Sequence, residues 1–278
     1  MGLLEYLKVP LFQKAFLGAF LSGAGLSLLG VVVLTLNLTT VRFALMHVAL
    51  FGAAASMVAG FPPLAGAMAG IAIASLLLGP AGDCIKIDTG VAGVLFMTGS
   101  LGLAFILFYK AGVPAMDAFA LFTGSILALK PSDLWAIGIL AGVIILAFAF
   151  FYREIQMVLY HPVLAESLGV PVKFIRNSLL LLTGLAIGVS IRMVGALLID
   201  AAVLLPAMAA LTLAQGLKEA LILSAALGIV SQVGGLVVSM AFDLPSGASI
   251  TLVAVGLVCV AGIFTRLTSK MKGADSRC

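Results

Sequence analysis

Position 47 holds a histidine in the run VRFALMHVALFG, and position 200 an aspartate in GALLIDAAVLLP, each flanked on both sides by apolar residues. A neutral imidazole can ligate a metal or donate one hydrogen bond, and a carboxylate supplies hard oxygen ligands or a counter-charge. Both groups are expensive to hold away from water, so ionisable residues in such runs face a bundle interior or pair with a neighbour. His47 therefore has two readings: a residue lining a substrate path, or a structural histidine bonded to a carbonyl or hydroxyl of the next helix. Asp200 also has two, facing His47 or the substrate, or pairing with Arg192, eight residues earlier and about two helical turns away. Met46, Met57, Met68 and Met97 carry thioethers that suit soft ions. With 11 methionines spread along the chain, they read first as flexible packing. There is no GxxxxGK[ST] phosphate loop, and His47 and His161 are the two histidines. The chain is expected to be neither an ATPase nor any other enzyme.

The elements that position these groups are set by composition. Of 278 residues, 63% are hydrophobic and 9% charged, with a mean hydropathy of +1.29. A soluble domain carries about 25% charged residues, and burying this much apolar surface in water-soluble form would leave large exposed patches. The solvent is therefore expected to be lipid. The net charge of +4 matters for orientation and gives no sign of nucleic-acid binding.

Runs such as LWAIGILAGVIILAFAFFY do not alternate apolar and polar residues, which excludes barrel strands and predicts helices. Spans of the roughly 20 residues that cross a bilayer are expected near 15–36, 41–60, 63–80, 88–109, 132–152, 176–196, 197–215, 219–241 and 248–267. The fold class is thus all-α, a polytopic transmembrane helical bundle of about nine spans, eight to ten being compatible, in a single permease domain over 1–278. The 31 glycines suit close helix–helix approach. Pro206 is expected to interrupt or flank a span, and Pro62-Pro63 and DLPSG to mark turns on the outer side. If the first span runs inward, ten Lys and Arg fall on one side, Arg42 among them, and five on the other. This bias places the N-terminus outside and the C-terminus in the cytoplasm. Cys84, Cys259 and Cys278 lack CxxC spacing and are expected to be unpaired thiols, and residues 1–10 do not read as a cleaved signal peptide.

The longest polar connection covers 153–177, on the expected cytoplasmic side. Within it PVLAESLG offers a short helix, started by Pro162 and stopped by Gly169 with Pro171 beyond. Such an element can dock a soluble partner, or be an ordinary surface loop with one amphipathic turn.

Four stretches, HPVLAESLGVPV, LLTGLAIGVSIRMVGALLIDAAVLLPAMAALTLA, FDLPSGASITLVAVGLV and VRFALMHVALFG, resemble in order and spacing the membrane permease subunit of the zinc/manganese class of bacterial ABC importers. The likeness covers nearly the whole chain. It implies that 153–177 couples to a separate ATPase through His161, Pro162, Ala165, Glu166, Leu168 and Gly169. It also implies a homodimer, an extracellular solute-binding protein, and residence in the cell inner membrane among lipids. No cofactor is expected on this chain; ATP and Mg would sit on the partner subunit. The family's Gly-Asp-Ala-Leu-Ser-His-Ala motif sets Asp and His four residues apart on one helix face, in a metal site of the translocation path. Here His47 keeps the histidine and Phe43 replaces the aspartate. A second family histidine falls at Phe96, and an often acidic position at Ser125. The expected path is therefore His47, Asp200, Phe43, Phe96 and Ser125, with His47 and Asp200 as candidate metal ligands. Two other functions stay open: the same fold retuned for a chelated or organic substrate, and an ion-coupled secondary carrier using His47 and Asp200 as a relay.

Overall fold

The computed structural model describes residues 9–85, 89–112, 129–194 and 199–275. The described residues form eleven helices and no strand: α1 Pro10–Thr35, α2 Thr39–Val58, α3 Pro63–Ile85, α4 Thr89–Ala111, α5 Pro131–Phe150, α6 Tyr152–Tyr160, α7 Pro162–Ser167, α8 Val172–Val194, α9 Ile199–Leu213, α10 Leu217–Phe242 and α11 Ser246–Asp275. Seven are long and apolar enough to cross a membrane, and Pro63–Leu78 and Ala201–Leu213 are shorter apolar helices. Together they account for the nine expected spans.

Why these runs are helices follows from their surroundings. In hydrocarbon each backbone N–H and C=O must be satisfied within its own segment, which a helix does. Wide apolar faces remain exposed, among them Leu95, Phe105 and Ile106 on α4 and Leu252, Val260 and Ile263 on α11, and lipid covers such faces in a membrane. Tyr109, 89% exposed near the end of α4, and Trp135, 74% exposed near the start of α5, are aromatic residues of the kind enriched at the membrane–water boundary. At the start of α5 the Lys130 backbone N–H donates to the Asp133 carboxylate at 3.0 Å, satisfying one of the donors a helix start leaves over.

The prolines behave in two ways. The Pro62-Pro63 turn is closed by the Ser56 hydroxyl, which donates to the Pro62 carbonyl at 3.0 Å, and Pro63 opens α3. Before Pro245, Asp243 adopts a left-handed backbone, φ 53°, and the Leu244 N–H bonds the Ser239 carbonyl at 3.0 Å. These turns are as expected. Pro206 and Pro80 instead lie inside continuous helices, because neighbouring packing tolerates the lost N–H in a membrane bundle.

The chain divides into two compact units, one of Met1–Val31, Ile126–Gly142 and Asp200–Cys278, the other of Val32–Ser125 and Val143–Ile199. In the first, Gly23 of α1 meets the backbone of Gly228 on α10, and the Ser224 hydroxyl donates to the Ser27 carbonyl at 2.7 Å. In the second, Gly52 of α2 and Gly66 of α3 approach so closely that a methyl group on either would collide with the other's carbonyl.

Candidate functional site

The second unit carries the histidine. α2 and α3 run antiparallel, since Gly52 meets Gly66 while Gly70 lies by Val48. α2 and α4 run in the same direction: Gly93 lies against Thr40 and Val41, and Ala104 and Phe108 pack with Leu50 and Ala54. That register sets Phe96 at the level of Phe43 and Ser100 at the level of His47. Sequence spacing alone put Phe43 and His47 on one face of a helix; the packing adds Phe96 from the neighbouring one. Phe43 is 39% exposed, and His47 and Phe96 are half-buried.

The Nδ1 of His47 lies 2.7 Å from the Phe43 carbonyl oxygen. A carbonyl only accepts, so Nδ1 carries a proton, and in the neutral form of the ring the lone pair is then on Nε2. A fixed ring with one committed nitrogen and one lone pair is the usual arrangement of a metal-ligating histidine. The hydroxyls at this level are turned to their own helix: Ser100 bonds the Phe96 carbonyl, and Thr98 the Val94 carbonyl at 2.7 Å. Among the described residues no three His, Cys, Asp or Glu side chains converge into a group that could hold a metal. Ser125 and the Asp200 side chain lie outside the described residues, so the alternatives drawn for Asp200 do too. By backbone, Asp200 belongs to the opening of α9.

One neighbour was misread from the sequence. Arg42, counted there as a loop charge, sits in the first turn of α2 and is 1% exposed. Its guanidinium lies 4.4 Å from the centroid of the Phe43 ring, and Nη1 approaches the Met46 sulfur at 3.5 Å. A guanidinium over an aromatic face is a favourable cation–π contact, and desolvation strengthens it. The available signal was the i, i+4 spacing of Arg42 and Met46 on a helix, overlooked because a basic residue before an apolar run reads as a boundary. Met46 thus receives Arg42, and Met57 packs against the Leu50–Ala54–Ala104–Phe108 cluster; both serve packing.

The polar connection folds into α6 and α7. α6 buries Ile155, Val158 and Leu159, spaced as one helical face, and leaves Arg153 and Gln156 exposed. α7 begins at Pro162 and buries Ala165 at 0% exposure. It ends in a turn where Gly169 has φ 81° and the Val170 N–H bonds the Ala165 carbonyl at 2.9 Å. That left-handed conformation is one only glycine adopts freely. His161, Pro162, Glu166 and Gly169 are exposed. With Val163 at 78%, Leu168 at 64% and Phe174 at 71%, they form an apolar knob with one carboxylate.

This architecture is that of a polytopic helical membrane protein. The model of the ABC 3 transport family matches residues 8–265, and the chain belongs to that family. It is 31% identical over 265 residues to the manganese transport system membrane protein MntC of Listeria monocytogenes, covering 95% of this chain and 92% of that one. It is 30% identical over 244 residues to the manganese import system permease protein ScaB of Streptococcus gordonii, with 86% of each chain covered. Among solved structures, PsaBC from Streptococcus pneumoniae in complex with Fab superposes with a TM-score of 0.80 at 26% identity, covering 93% of each chain. The resemblance seen in the sequence is borne out, and the protein is a multi-pass membrane protein of the ABC-transport permease type.

Proposed function

We propose that this chain is the membrane-spanning permease subunit of an ATP-driven importer for a divalent transition metal of the manganese or zinc class. The single observation that carries the reading is the His47 ring, half-buried on α2 with Nε2 left to ligate, in a chain whose relatives are manganese permeases. ATP would be hydrolysed, with Mg, on a separate subunit docked on the α6–α7 elbow, contacting His161, Pro162, Glu166, Leu168 and Gly169 while Ala165 anchors the turn. Two permease copies would form a twofold dimer, and an extracellular solute-binding protein would deliver the ion. The N-terminus would face outside and the C-terminus the cytoplasm. Family membership favours this reading over an ion-coupled carrier working without an ATPase.

A second reading concerns the cargo. Phe43 and Phe96 share one level beside His47 and make it more apolar there, which favours the same fold retuned for a chelated or organic substrate. The ATPase rate of the assembled complex, measured with manganese, zinc, and each metal held in a chelate, separates the two. Stimulation by free metal supports the first reading, and stimulation by the chelate alone supports the second. Indifference to all of them rules against a metal importer.

A further inference from the structure

Gln232 lies near the middle of α10 and is 0% exposed. Both its amide nitrogen and its carbonyl oxygen are buried with no hydrogen-bond partner among the described residues. A carboxamide offers two donors and two acceptor sites, and burying them unmet is among the costlier arrangements a protein interior holds. The buried serines of α10, and two on the helices packed against it, are engaged. The Ser224 hydroxyl donates to the Ser27 carbonyl, that of Ser231 to the Gly228 carbonyl at 2.9 Å, and that of Ser239 to the Leu244 carbonyl at 2.6 Å. On the facing helices, Ser27 donates to the Gly23 carbonyl at 2.6 Å and Ser249 to the Pro245 carbonyl at 3.2 Å. Gln232 alone among these residues is left over.

The contacts on either side of it are made by glycine. One turn before, Gly228 lies on Gly23 of α1, and three residues after, Gly235 lies on the backbone of Ile250 in α11. Glycine contacts bring backbones together without interlocking side chains, so α10 has smooth surfaces against both neighbours at the level of its one unsatisfied group. A permease driven by a motor subunit alternates between packings, and helix shifts of about 1–2 Å are a standard means.

We infer that Gln232 is a latch for the second packing of this unit: its carboxamide is bare in the arrangement described and becomes hydrogen bonded to α1 or α11 when α10 shifts during transport. The inference rests on the reading of the chain as an ATP-driven permease. Gln232 is a positioning residue, acting on the balance between two packings without touching the cargo. One hydrogen bond present in only one packing moves that balance about tenfold.

The test uses the complex assembled with its ATPase, wild type beside Gln232→Leu, with Gln232→Met as a second apolar replacement of similar length. Thermal midpoint in the nucleotide-free state and ATP-driven uptake in vesicles are both read. The latch predicts opposite movements: the apolar variants melt higher, because no bare carboxamide remains, while uptake turnover falls about tenfold at an unchanged half-saturating cargo concentration. A purely structural role would not lower turnover while raising stability. Wild-type turnover in the apolar variants overturns the latch. So does a lower melting point or loss of assembly in both, since either means that the carboxamide is bonded in the resting packing. Absence of ATP-driven uptake by the wild-type complex is a separate result; it removes the permease reading and the latch with it.

Discussion

The His47 Nδ1 and the Phe43 carbonyl oxygen stand 2.7 Å apart, one helical turn along α2. The sequence puts an aromatic ring where the permeases it resembles carry a carboxylate, yet the backbone of that same residue holds the imidazole. The carbonyl at position 43 thus holds the ring whatever the side chain there, and Nε2 is the nitrogen that the proposed metal role would use.

Restoring the missing carboxylate should therefore strengthen metal recognition. In Phe43→Asp the carboxylate and imidazole share one helix face at i, i+4, with the carbonyl bond to His47 retained. The metal concentration that half-saturates ATPase stimulation is expected to fall about tenfold. An unchanged or higher value would show that the residue 43 side chain does not reach the cargo.

The close approach of α2 and α3 should be intolerant of bulk. Gly52→Leu drives a side chain into the Gly66 carbonyl, and overpacking of this kind costs about 1–3 kcal/mol. The detergent-solubilised complex is expected to melt lower. A midpoint equal to wild type would mean that the two helices part readily.

The elbow is expected to separate docking from transport. Val163→Asp with Leu168→Asp places charge on the exposed knob of α7 and should weaken ATPase association about tenfold or more, leaving the permease melting point alone. Gly169→Val forces a branched side chain into φ 81°, at a cost of about 1–2 kcal/mol. It is expected to lower coupled ATPase activity by distorting the turn. Co-purification of the ATPase at wild-type levels with the doubly charged variant would exclude this surface as the docking site.

Between α1 and α10, Ser224→Ala removes the bond to the Ser27 carbonyl. Interhelical bonds in membranes are worth about 0.6 kcal/mol on average, so a drop in melting point smaller than that of Gly52→Leu is expected. A larger drop would assign the serine a role beyond this bond.

The spans were readable because in lipid a helix needs only length and apolarity, and both are local properties. The α7 helix was readable for a similar reason: Pro162 permits a start and Gly169 supplies the positive φ that ends it. α6 was read as loop because its Ile155, Val158 and Leu159 face sits among polar residues in too short a run to stand out. The sequence led to His47, Phe43 and Phe96 through spacing and resemblance, but their common level depends on how α4 lies along α2, which no periodicity encodes. Gln232 was missed on the same ground, since its burial between two glycine contacts is decided by helices distant in the chain; Arg42, held against Phe43 and Met46 of its own helix, carried a local signal that its place ahead of an apolar run disguised.

The central claim is that an ion driven by ATP passes the His47 imidazole. Its most direct test is manganese accumulation in vesicles holding this chain with its ATPase, comparing wild type with His47→Ala under saturating ATP. The account predicts ATP-dependent accumulation by the wild type and a loss of about tenfold or more in the variant, with ATPase binding unchanged. Equal accumulation by both would contradict it.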